Sequence, residues 1–345
     1  MTRPRISVVV PVYNRSDLVV ETLDSILSQT ITDWEAVVVD DASTDDSLEV
    51  LKVAERSDPR IRAISRPPEF GKGAGPSRNA GLAAASAEFV VFLDSDDLLK
   101  SDALEQRIAA MESYDFVVSQ GQFFDRIVGD NSLLAFRENF ADEDDLDRFI
   151  RLDWPWQTTG PTWRRRWLLE NDVRWPDQHT SHDDTLFHLA ALACNPRYTK
   201  RFDVGPDFYF RTKDTDHAGL CEAFAEPWNL KAAAPGFLST ARRIRSGDLP
   251  FECYAPSLLG LAFFLAGHLY QNNRASGLLT WCRSFALGMV SSKQFLLGSI
   301  HLLAQRTRFA QRVPKELLHE RWGSAVFRKK PGRSFGHEPS PNNGS

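Results

Sequence analysis

The chain has 345 residues, of which 42% are apolar and 25% are charged, and its formal net charge is −5. These values are typical of a globular protein with a sizeable core, and the negative charge argues against nucleic acid as the main partner. The four cysteines lie far apart and form no CxxC pair, which argues against a zinc site or a disulfide framework. Because a strand pattern begins directly after Arg5, we expect no signal peptide and a cytoplasmic location.

The N-terminal part of the chain alternates between strand and helix patterns. Apolar, β-branched runs predict strands at Ile6–Val12, Glu35–Asp40, Ile61–Ser65 and Phe89–Leu93. Helical spacing and helix-start signals predict helices at Leu18–Leu27, Ser43–Arg56, Ser77–Ala85 and Leu98–Met111. This alternation predicts an α/β fold with a mostly parallel sheet and helices on both of its faces.

The fourth predicted strand runs directly into a cluster of carboxylates at Asp94, Asp96 and Asp97. Carboxylates this close repel one another unless a positive group lies among them. Hard oxygen ligands favour Mg²⁺ or Mn²⁺, and such an ion can also hold a substrate diphosphate. The alternative is that Asp94 and Asp97 cap the next helix, since Asp is a favoured N-cap residue.

Polar or flexible groups follow all four strands, in the order Tyr13, Asp41, the loop Gly71–Pro76 and Asp94. Ligands of parallel α/β sheets bind beyond the carboxyl ends of the strands, so the sequence predicts a nucleotide-type site there. The glycines lack P-loop spacing, and we interpret them as a flexible connection. Arg78, predicted in the first turn of a helix, is either a phosphate contact beside the helix N-terminus or a surface arginine.

Four motifs, in this order and at this spacing, resemble those of family 2 glycosyltransferases. They are Val10–Arg15, Val38–Asp45, Ser77–Leu82 and Leu93–Asp97. The resemblance is strong from Arg5 to Met111 and continues to about Arg211. It implies a GT-A fold, the Rossmann-like fold of nucleotide-diphospho-sugar transferases, and a nucleoside-diphosphate sugar bound through Mg²⁺ or Mn²⁺.

The resemblance also implies roles for individual residues. Tyr13 would stack on the nucleobase beside Pro11, although core packing is the alternative for Tyr13, and Asp41 would accept hydrogen bonds from the base. The other implied donor-binding residues are Arg15, Arg78 near the base or diphosphate, Asp94 at the ribose, and Ser95. Asp96 is the implied metal ligand.

An acidic pair, Asp183 and Asp184, begins a further predicted helix directly after His182. Inverting family members are similar in having Glu-Asp at the start of a helix. The resemblance therefore implies that Asp184 is the general base, which removes the acceptor hydroxyl proton in a single displacement with inversion. The alternative is that both carboxylates only cap the helix.

Two further segments of the middle region are candidates for substrate contact. The tryptophan-rich stretch Trp154–Trp163 is either a sugar platform or ordinary packing. Tyr209–His217 lies where family members often have a basic loop that closes over the donor. Arg211, Lys213 or His217 would contact the diphosphate there, and His217 is also a candidate metal ligand.

The C-terminal third has helical patterns, and we expect a transferase domain at 1–220, a helical region at 221–331 and a disordered tail at 332–345. Basic residues dominate from Arg306 onward. They form either a solvated basic face or a peripheral contact with an anionic membrane.

The leading hypothesis is an inverting, metal-dependent glycosyltransferase that moves a sugar, from UDP in the main expectation, to a glycan or lipid-linked hydroxyl. One alternative is a sugar-phosphate nucleotidyltransferase, which needs a glycine-rich triphosphate loop after the first strand; Val12–Arg15 does not supply it. The other alternative is a non-catalytic nucleotide-sugar-binding protein.

Overall fold

The computed structural model describes residues 3–135, 143–177, 182–212, 227–272 and 274–287, together with 290–292, 294–295 and 299. Its strands are β1 (Ile6–Val12), β2 (Trp34–Asp40), β3 (Ile61–Ser65), β4 (Phe89–Phe92), β5 (Leu98–Leu99), β6 (Phe116–Phe124), β7 (Pro161–Arg164) and β8 (Tyr198–Arg211). Its helices are α1 (Val19–Leu27), α2 (Ser47–Ser57), α3 (Ala74–Ala84), α4 (Ala103–Ala110), α5 (Asp145–Ile150), α6 (Arg165–Glu170), α7 (Asp183–Leu192), α8 (Pro227–Ser246), α9 (Phe251–Asn272) and α10 (Arg274–Ala286).

The described strands form one mixed sheet in the order β3-β2-β1-β4-β7-β6-β8-β5. The pairs β3–β2, β2–β1 and β1–β4 are parallel, as expected, and so is β6–β8. Strand β7 runs antiparallel to both of its neighbours, and β5 runs antiparallel to β8. Every residue of β1, β2 and β4 is buried. Because successive side chains point to opposite faces, both faces of this half of the sheet are covered.

Two helices begin at different residues from those expected. Helix α2 begins at Ser47 because Ser43, Thr44 and Asp45 bond instead to the backbone or side chains of the loop after β1. Helix α3 begins at Ala74, directly after Gly73 with its φ of 121°, so much of the expected loop is helical. Proline fits there because the first turn of a helix needs no intrahelical N–H bond.

The predicted helix Leu98–Met111 is wrong in its first part. Leu98 and Leu99 form β5, which pairs with Tyr209 and Phe208 of β8, and helix α4 begins only at Ala103. Asp94 and Asp97 therefore do not cap this helix, and the capping alternative is excluded.

Helices α8, α9 and α10 form the expected helical C-terminal region. Tyr254 of α9 donates a hydrogen bond of 3.0 Å to Oδ2 of Asp144, which caps α5. In the part of the chain that the structure describes, every helix is too short or too polar to cross a lipid bilayer. The basic segment after Arg306 and the tail at 332–345 lie outside the described residues, and the proposed division at 220 falls in an undescribed stretch.

Candidate active site

The ends of the three parallel strands β1, β2 and β3 bring three side chains together. Tyr13, Asp41 and Arg66 are each the first residue after one of these strands. The backbone N–H of Asp41 donates to the carbonyl of Val12 at 2.8 Å, and that of Arg66 donates to the carbonyl of Asp40 at 2.8 Å. The sheet hydrogen bonding thus continues past the strand ends and fixes the three residues side by side.

Tyr13 offers an aromatic face at this edge, because 43% of the residue is exposed. The ammonium of Lys72 lies 5.1 Å from the centroid of its ring, so Lys72 covers one face. Pro11 is buried within β1 beside Val39 of β2. The exposure of Tyr13 argues against the core-packing alternative.

Asp41 is buried and has two firm partners. Its Oδ1 accepts a hydrogen bond from Nε of Arg66, and its Oδ2 accepts one from the backbone N–H of Gly73 at 2.8 Å. Gly73 directly precedes α3, so Asp41 ties the strand end to the start of that helix. Arg66 was missed by the sequence reasoning. The strand-end rule that selected Tyr13 and Asp41 applies equally to the residue after Ser65 and would have found it.

Arg78 lies in the second turn of α3, not in the first turn as expected, and it points at the carboxylate cluster. Its Nη2 donates to Oδ1 of Asp94, and its guanidinium lies 4.3 Å from the ring centroid of Trp175. Asn79 holds Trp175 in place through two hydrogen bonds to its backbone, of 2.9 and 3.0 Å. Only 6% of Arg78 is exposed, so the surface-arginine alternative is wrong.

Asp96 is the least satisfied of the clustered carboxylates. Its Oδ2 lies 3.9 Å from Nε of Arg15, and 29% of its side chain is exposed. Burial, together with the neighbouring Asp94 carboxylate, raises the pKa of Asp96 to about 6, although Arg15 and Arg211 oppose this. Ser95 is buried between the two acids.

Asp97 has a structural position in this cluster. Thr159 donates to its Oδ2 at 2.9 Å, and the backbone N–H of Arg211 donates to its Oδ1 at 3.2 Å. Burial and the charges of Asp96 and Asp94 raise the pKa of Asp97.

Arg211 holds the backbone of the same cluster. Its Nε donates to the carbonyl of Asp96 at 3.1 Å, its Nη2 pairs with Glu21 at 2.7 Å, and its guanidinium lies 4.4 Å from the ring centroid of Phe124. In this arrangement the Arg211 side chain holds the backbone of Asp96 and is itself held by Glu21. Contact between Arg211 and a diphosphate stays a prediction.

The acidic pair begins helix α7, as expected. Asp183 is buried, and a Cβ placed on Gly75 of α3 would lie 3.2 Å from its Oδ2. Asp184 is partly buried, and its Oδ1 accepts from the backbone N–H of Thr185 at 2.7 Å. Burial raises the pKa of Asp184; the Asp94 charge adds to this, and the Arg78 charge opposes it. The helix of Asp184 also packs near Arg78, because Phe187 of α7 stacks on Trp175 at a centroid distance of 4.2 Å and Trp175 lies under the Arg78 guanidinium.

His188 lies one helical turn after Asp184, buried among aromatic rings. Its ring stacks on Phe149 at a centroid distance of 5.2 Å. It meets Trp156 edge-on at 5.9 Å and stacks on Trp163 at 6.1 Å. Burial lowers the pKa of His188 to about 3, so the group is neutral near pH 7. Trp156 and Trp163 are fully buried in this cluster, which favours ordinary packing for these two tryptophans.

Two of the predicted site residues cannot be placed in the site, and metal binding can be judged from the described side chains only. His217 and Lys213 lie outside the described residues. Within the described ranges, no group of three or more His, Cys, Asp or Glu side chains is arranged to hold a metal ion by itself.

Comparison with known proteins identifies the family. The model of the family described as "Glycosyl transferase family 2" matches residues 7–171. A poly(ribitol-phosphate) beta-glucosyltransferase of Bacillus spizizenii is 30% identical over 71% of this chain and 37% of its own length. Residues 7–171 of this chain belong to glycosyl transferase family 2.

A second relative is the UDP-Glc:alpha-D-GlcNAc-diphosphoundecaprenol beta-1,3-glucosyltransferase WfgD of Escherichia coli. It is 36% identical over 38% of this chain and 49% of its own length. The chain thus matches less than half of the length of each of these two relatives.

Solved structures confirm the expected GT-A fold. TarS 1-349 of S. aureus, in complex with UDP-GlcNAc, superposes with a TM-score of 0.65 at 22% identity and covers 92% of each chain. The mannosyltransferase PcManGT from Pyrobaculum calidifontis, in complex with GDP-Man and Mn²⁺, gives a TM-score of 0.52 at 20% identity over 96% of this chain and 89% of its own. At this identity the likeness concerns the fold alone.

Proposed function

We propose that this protein is an inverting glycosyltransferase that moves a sugar from a nucleoside-diphosphate sugar to a hydroxyl of a glycan or lipid-linked acceptor. One observation carries the proposal. Arg78, which pairs with Asp94 at the end of β4, lies over the ring of Trp175, and Trp175 stacks on Phe187 of α7, the helix whose first turn carries Asp184. A donor-side acid and a candidate base from distant parts of the sequence therefore face one site. The names of the two relatives support both the transfer reaction and the acceptor class.

In this proposal the donor lies along the strand ends. Its base stacks on Tyr13 beside Pro11 and contacts Asp41, and Asp94 accepts from a ribose hydroxyl. Because Lys72 covers one face of the Tyr13 ring, a base on that face has to displace it. Lys72 is exposed and flexible, so this displacement costs little.

The carboxylates fit a dication that is completed by the donor. Asp96 lies 3.9 Å from Arg15, and its pKa is raised by burial and by repulsion from Asp94, which a positive ion would relieve. Mg²⁺ and Mn²⁺ are bound by one or two carboxylates plus substrate phosphates in such sites, which agrees with the lack of a three-ligand group among the described side chains. Asp96 would hold the ion, and the ion would supply charge stabilisation for the leaving diphosphate.

Asp184 is proposed as the base because its environment suits proton abstraction. Burial raises its pKa, which makes the carboxylate a stronger acceptor for a hydroxyl proton, while the hydrogen bond from Thr185 and the charge of Arg78 oppose this rise. Asp183, buried against the start of α3, is proposed to position it. The proton of the acceptor hydroxyl moves to Asp184 as the oxygen attacks the anomeric carbon opposite the diphosphate, which inverts that centre.

The variant Asp184→Asn tests this assignment. We expect it to bind UDP-sugar like the parent, because the donor contacts lie elsewhere, and to lose about 10²–10⁴-fold in transfer rate because no base remains. Donor binding is measured by calorimetry and transfer by product analysis. Asp24→Asn, an exposed change on α1, is the matched control and should leave both unchanged. Transfer by Asp184→Asn at the parental rate would show that another group is the base.

The same measurements separate the alternatives. A non-catalytic binder would bind the donor in both forms and turn over in neither. A nucleotidyltransferase would consume a nucleoside triphosphate and a sugar phosphate. The segment after β1 that would have to hold the triphosphate is Val12–Arg15, which has no glycine.

A cytoplasmic location with peripheral membrane contact through the basic C-terminal segment remains part of the proposal. Flotation with anionic vesicles, with and without the residues after Gly323, tests this membrane contact.

A further inference from the structure

The glycine-rich loop and first turn of α3 pack against residues 175–177, which lead to the acidic pair. A Cβ on Gly71 would overlap with the carbonyl oxygen of Asp177. A Cβ on Gly75 would lie 3.1 Å from the carbonyl oxygen of Pro176. Neither glycine has a positive φ, so the absence of a side chain serves the close approach of the other segment and not the local backbone conformation.

Asn79 holds this segment on the same face of α3. It follows Gly75 by four residues, about one helical turn. Its side-chain amide donates to the carbonyl of Trp175 at 2.9 Å and accepts from the backbone N–H of Trp175 at 3.0 Å. Asparagine can pair with both backbone groups because its amide has a donor and an acceptor in one plane. Gly75 and Asn79 thus fix Trp175 beside Arg78.

The ring of Trp175 contacts both sides of the candidate site. On the donor side, the Arg78 guanidinium lies 4.3 Å from the ring centroid, and Phe92, the last residue of β4, meets the ring edge-on at 5.2 Å. On the base side, Phe187 of α7 stacks on it with centroids 4.2 Å apart and ring planes within 5°. Phe187 follows Asp184 by three residues, so this stack lies nearly one helical turn from the proposed base.

We propose that Trp175 is a positioning residue for the transfer reaction, which places the base helix α7 against the donor side of the site. This inference rests on the proposed function, because it takes Asp184 as the base. A base has to lie within hydrogen-bond distance of the hydroxyl that it deprotonates, and a displacement of about 1 Å can cost about 10²-fold in rate. Trp175 itself touches no reacting atom and acts through Phe187.

Two substitutions disturb this placement in different ways. Trp175→Leu removes the flat ring that stacks on Phe187. Gly75→Ala adds a methyl group that would press on the carbonyl of Pro176 and, at 3.2 Å, on the carboxylate of Asp183. The neighbours of this methyl group have to shift by only a few tenths of an ångström, so we expect Gly75→Ala to remain folded.

Turnover is measured as UDP release from UDP-glucose and from UDP-N-acetylglucosamine with Mn²⁺, with water as the acceptor. Water also has to give a proton to the base as its oxygen attacks the anomeric carbon and UDP leaves. Calorimetry measures the affinity for UDP, and the binding stoichiometry gives the folded fraction. We expect kcat to fall about 30- to 100-fold in Trp175→Leu and about three- to tenfold in Gly75→Ala, with affinities for UDP within about threefold of the parent. Trp175→Phe, which keeps a flat ring, should retain at least about one third of the parental kcat.

Trp34→Leu is the matched control. Trp34 is also buried and also lies under a guanidinium, since Arg60 is 3.9 Å from its ring centroid. It begins β2, at the opposite end of the sheet from the strand ends that form the site. We expect Trp34→Leu to lose thermal stability and to keep kcat per folded molecule within about twofold of the parent.

The comparison separates a positioning role from core packing. If Trp175 only filled the core, Trp175→Leu would behave like Trp34→Leu. A kcat within about twofold of the parent in both Trp175→Leu and Gly75→Ala would overturn the inference and leave the proposed function intact. If Trp175→Leu does not fold, an unchanged kcat in Gly75→Ala overturns the inference by itself. A parent protein that binds UDP but cleaves neither donor would contradict the proposed function and, with it, the inference.

Discussion

At the scale of single residues, Arg78 links Asp94, the acid proposed to contact the sugar donor, with Asp184, the proposed general base. A guanidinium stays charged under all ordinary conditions, so a buried one needs an anionic partner. Asp94 supplies that partner, and Trp175 covers the guanidinium face. The charge of Arg78 also opposes the rise in the pKa of Asp184. One buried cation therefore pairs with the acid of one motif and acts on the charge of an acid from a distant one.

The pKa of Asp96 predicts the pH dependence of metal-supported donor binding. Since this pKa is raised to about 6, the free protein holds a proton on Asp96 below that pH, and the proton competes with a dication. We expect the Mn²⁺-dependent affinity for UDP to be constant above about pH 7 and to fall by up to about tenfold per pH unit below 6. Calorimetric titrations between pH 5 and pH 8 measure this, and an affinity that stays flat across the range would contradict it.

The sequence predicted most of this edge because its residues follow strand ends. Tyr13, Asp41 and Asp94 were placed by that rule, and Asp184 by the family motif. Trp175 carried no such signal, because it lies between helices and contacts Arg78 only through tertiary packing. The hydrogen bond from Arg211 to the backbone of Asp96 depends on strand β8, which was not among the predicted strands and ends next to the carboxylate cluster.

At the scale of elements, the close packing of α3 on β1 fixes the position of the helical turn that carries Arg78. A Cβ at Gly81 would overlap with Cγ1 of Val9, which is buried in β1. We expect Gly81→Ala to reduce the free energy of unfolding by about 1–2 kcal/mol, because the overpacking outweighs the gain in helix propensity. Urea unfolding measures this. Ala83→Ser, an exposed change on the same helix, should stay within about 0.5 kcal/mol of the parent, and equal stability of Gly81→Ala would contradict the packing.

Element boundaries departed from the predictions wherever long-range hydrogen bonds decided them. Leu98 and Leu99 have helical neighbours in sequence, but their backbone pairs with β8. Ser43 resembles a helix start, but its hydroxyl accepts from the N–H of Asn14. Local pattern cannot reveal a partner that lies tens of residues away, and the antiparallel strand β7 was missed for the same reason.

At the scale of the whole molecule, buried polar groups join the elements around the site. Arg107 of α4 pairs with Asp207 of β8 and donates to the carbonyl of Thr159, the residue whose hydroxyl bonds to Asp97. Asp145 of α5 accepts from Tyr198 and Lys200 of β8. Asp97 is therefore held through Thr159 by a buried ion pair between α4 and β8, which supports a preorganised binding edge.

The central claim is that the carboxylates at the end of β4 and the side chains after β1 and β2 bind one nucleoside diphosphate with the help of a dication. Calorimetric titration of UDP into the parent protein and into Asp96→Asn, each with and without Mn²⁺, tests it most directly. We predict that the parent binds UDP at least about tenfold more tightly with Mn²⁺ than without it. Asp96→Asn, which replaces the carboxylate by a neutral amide of similar shape, should remove this increase in affinity. UDP binding that is unaffected by both the ion and the substitution, or no binding at all, would contradict the claim.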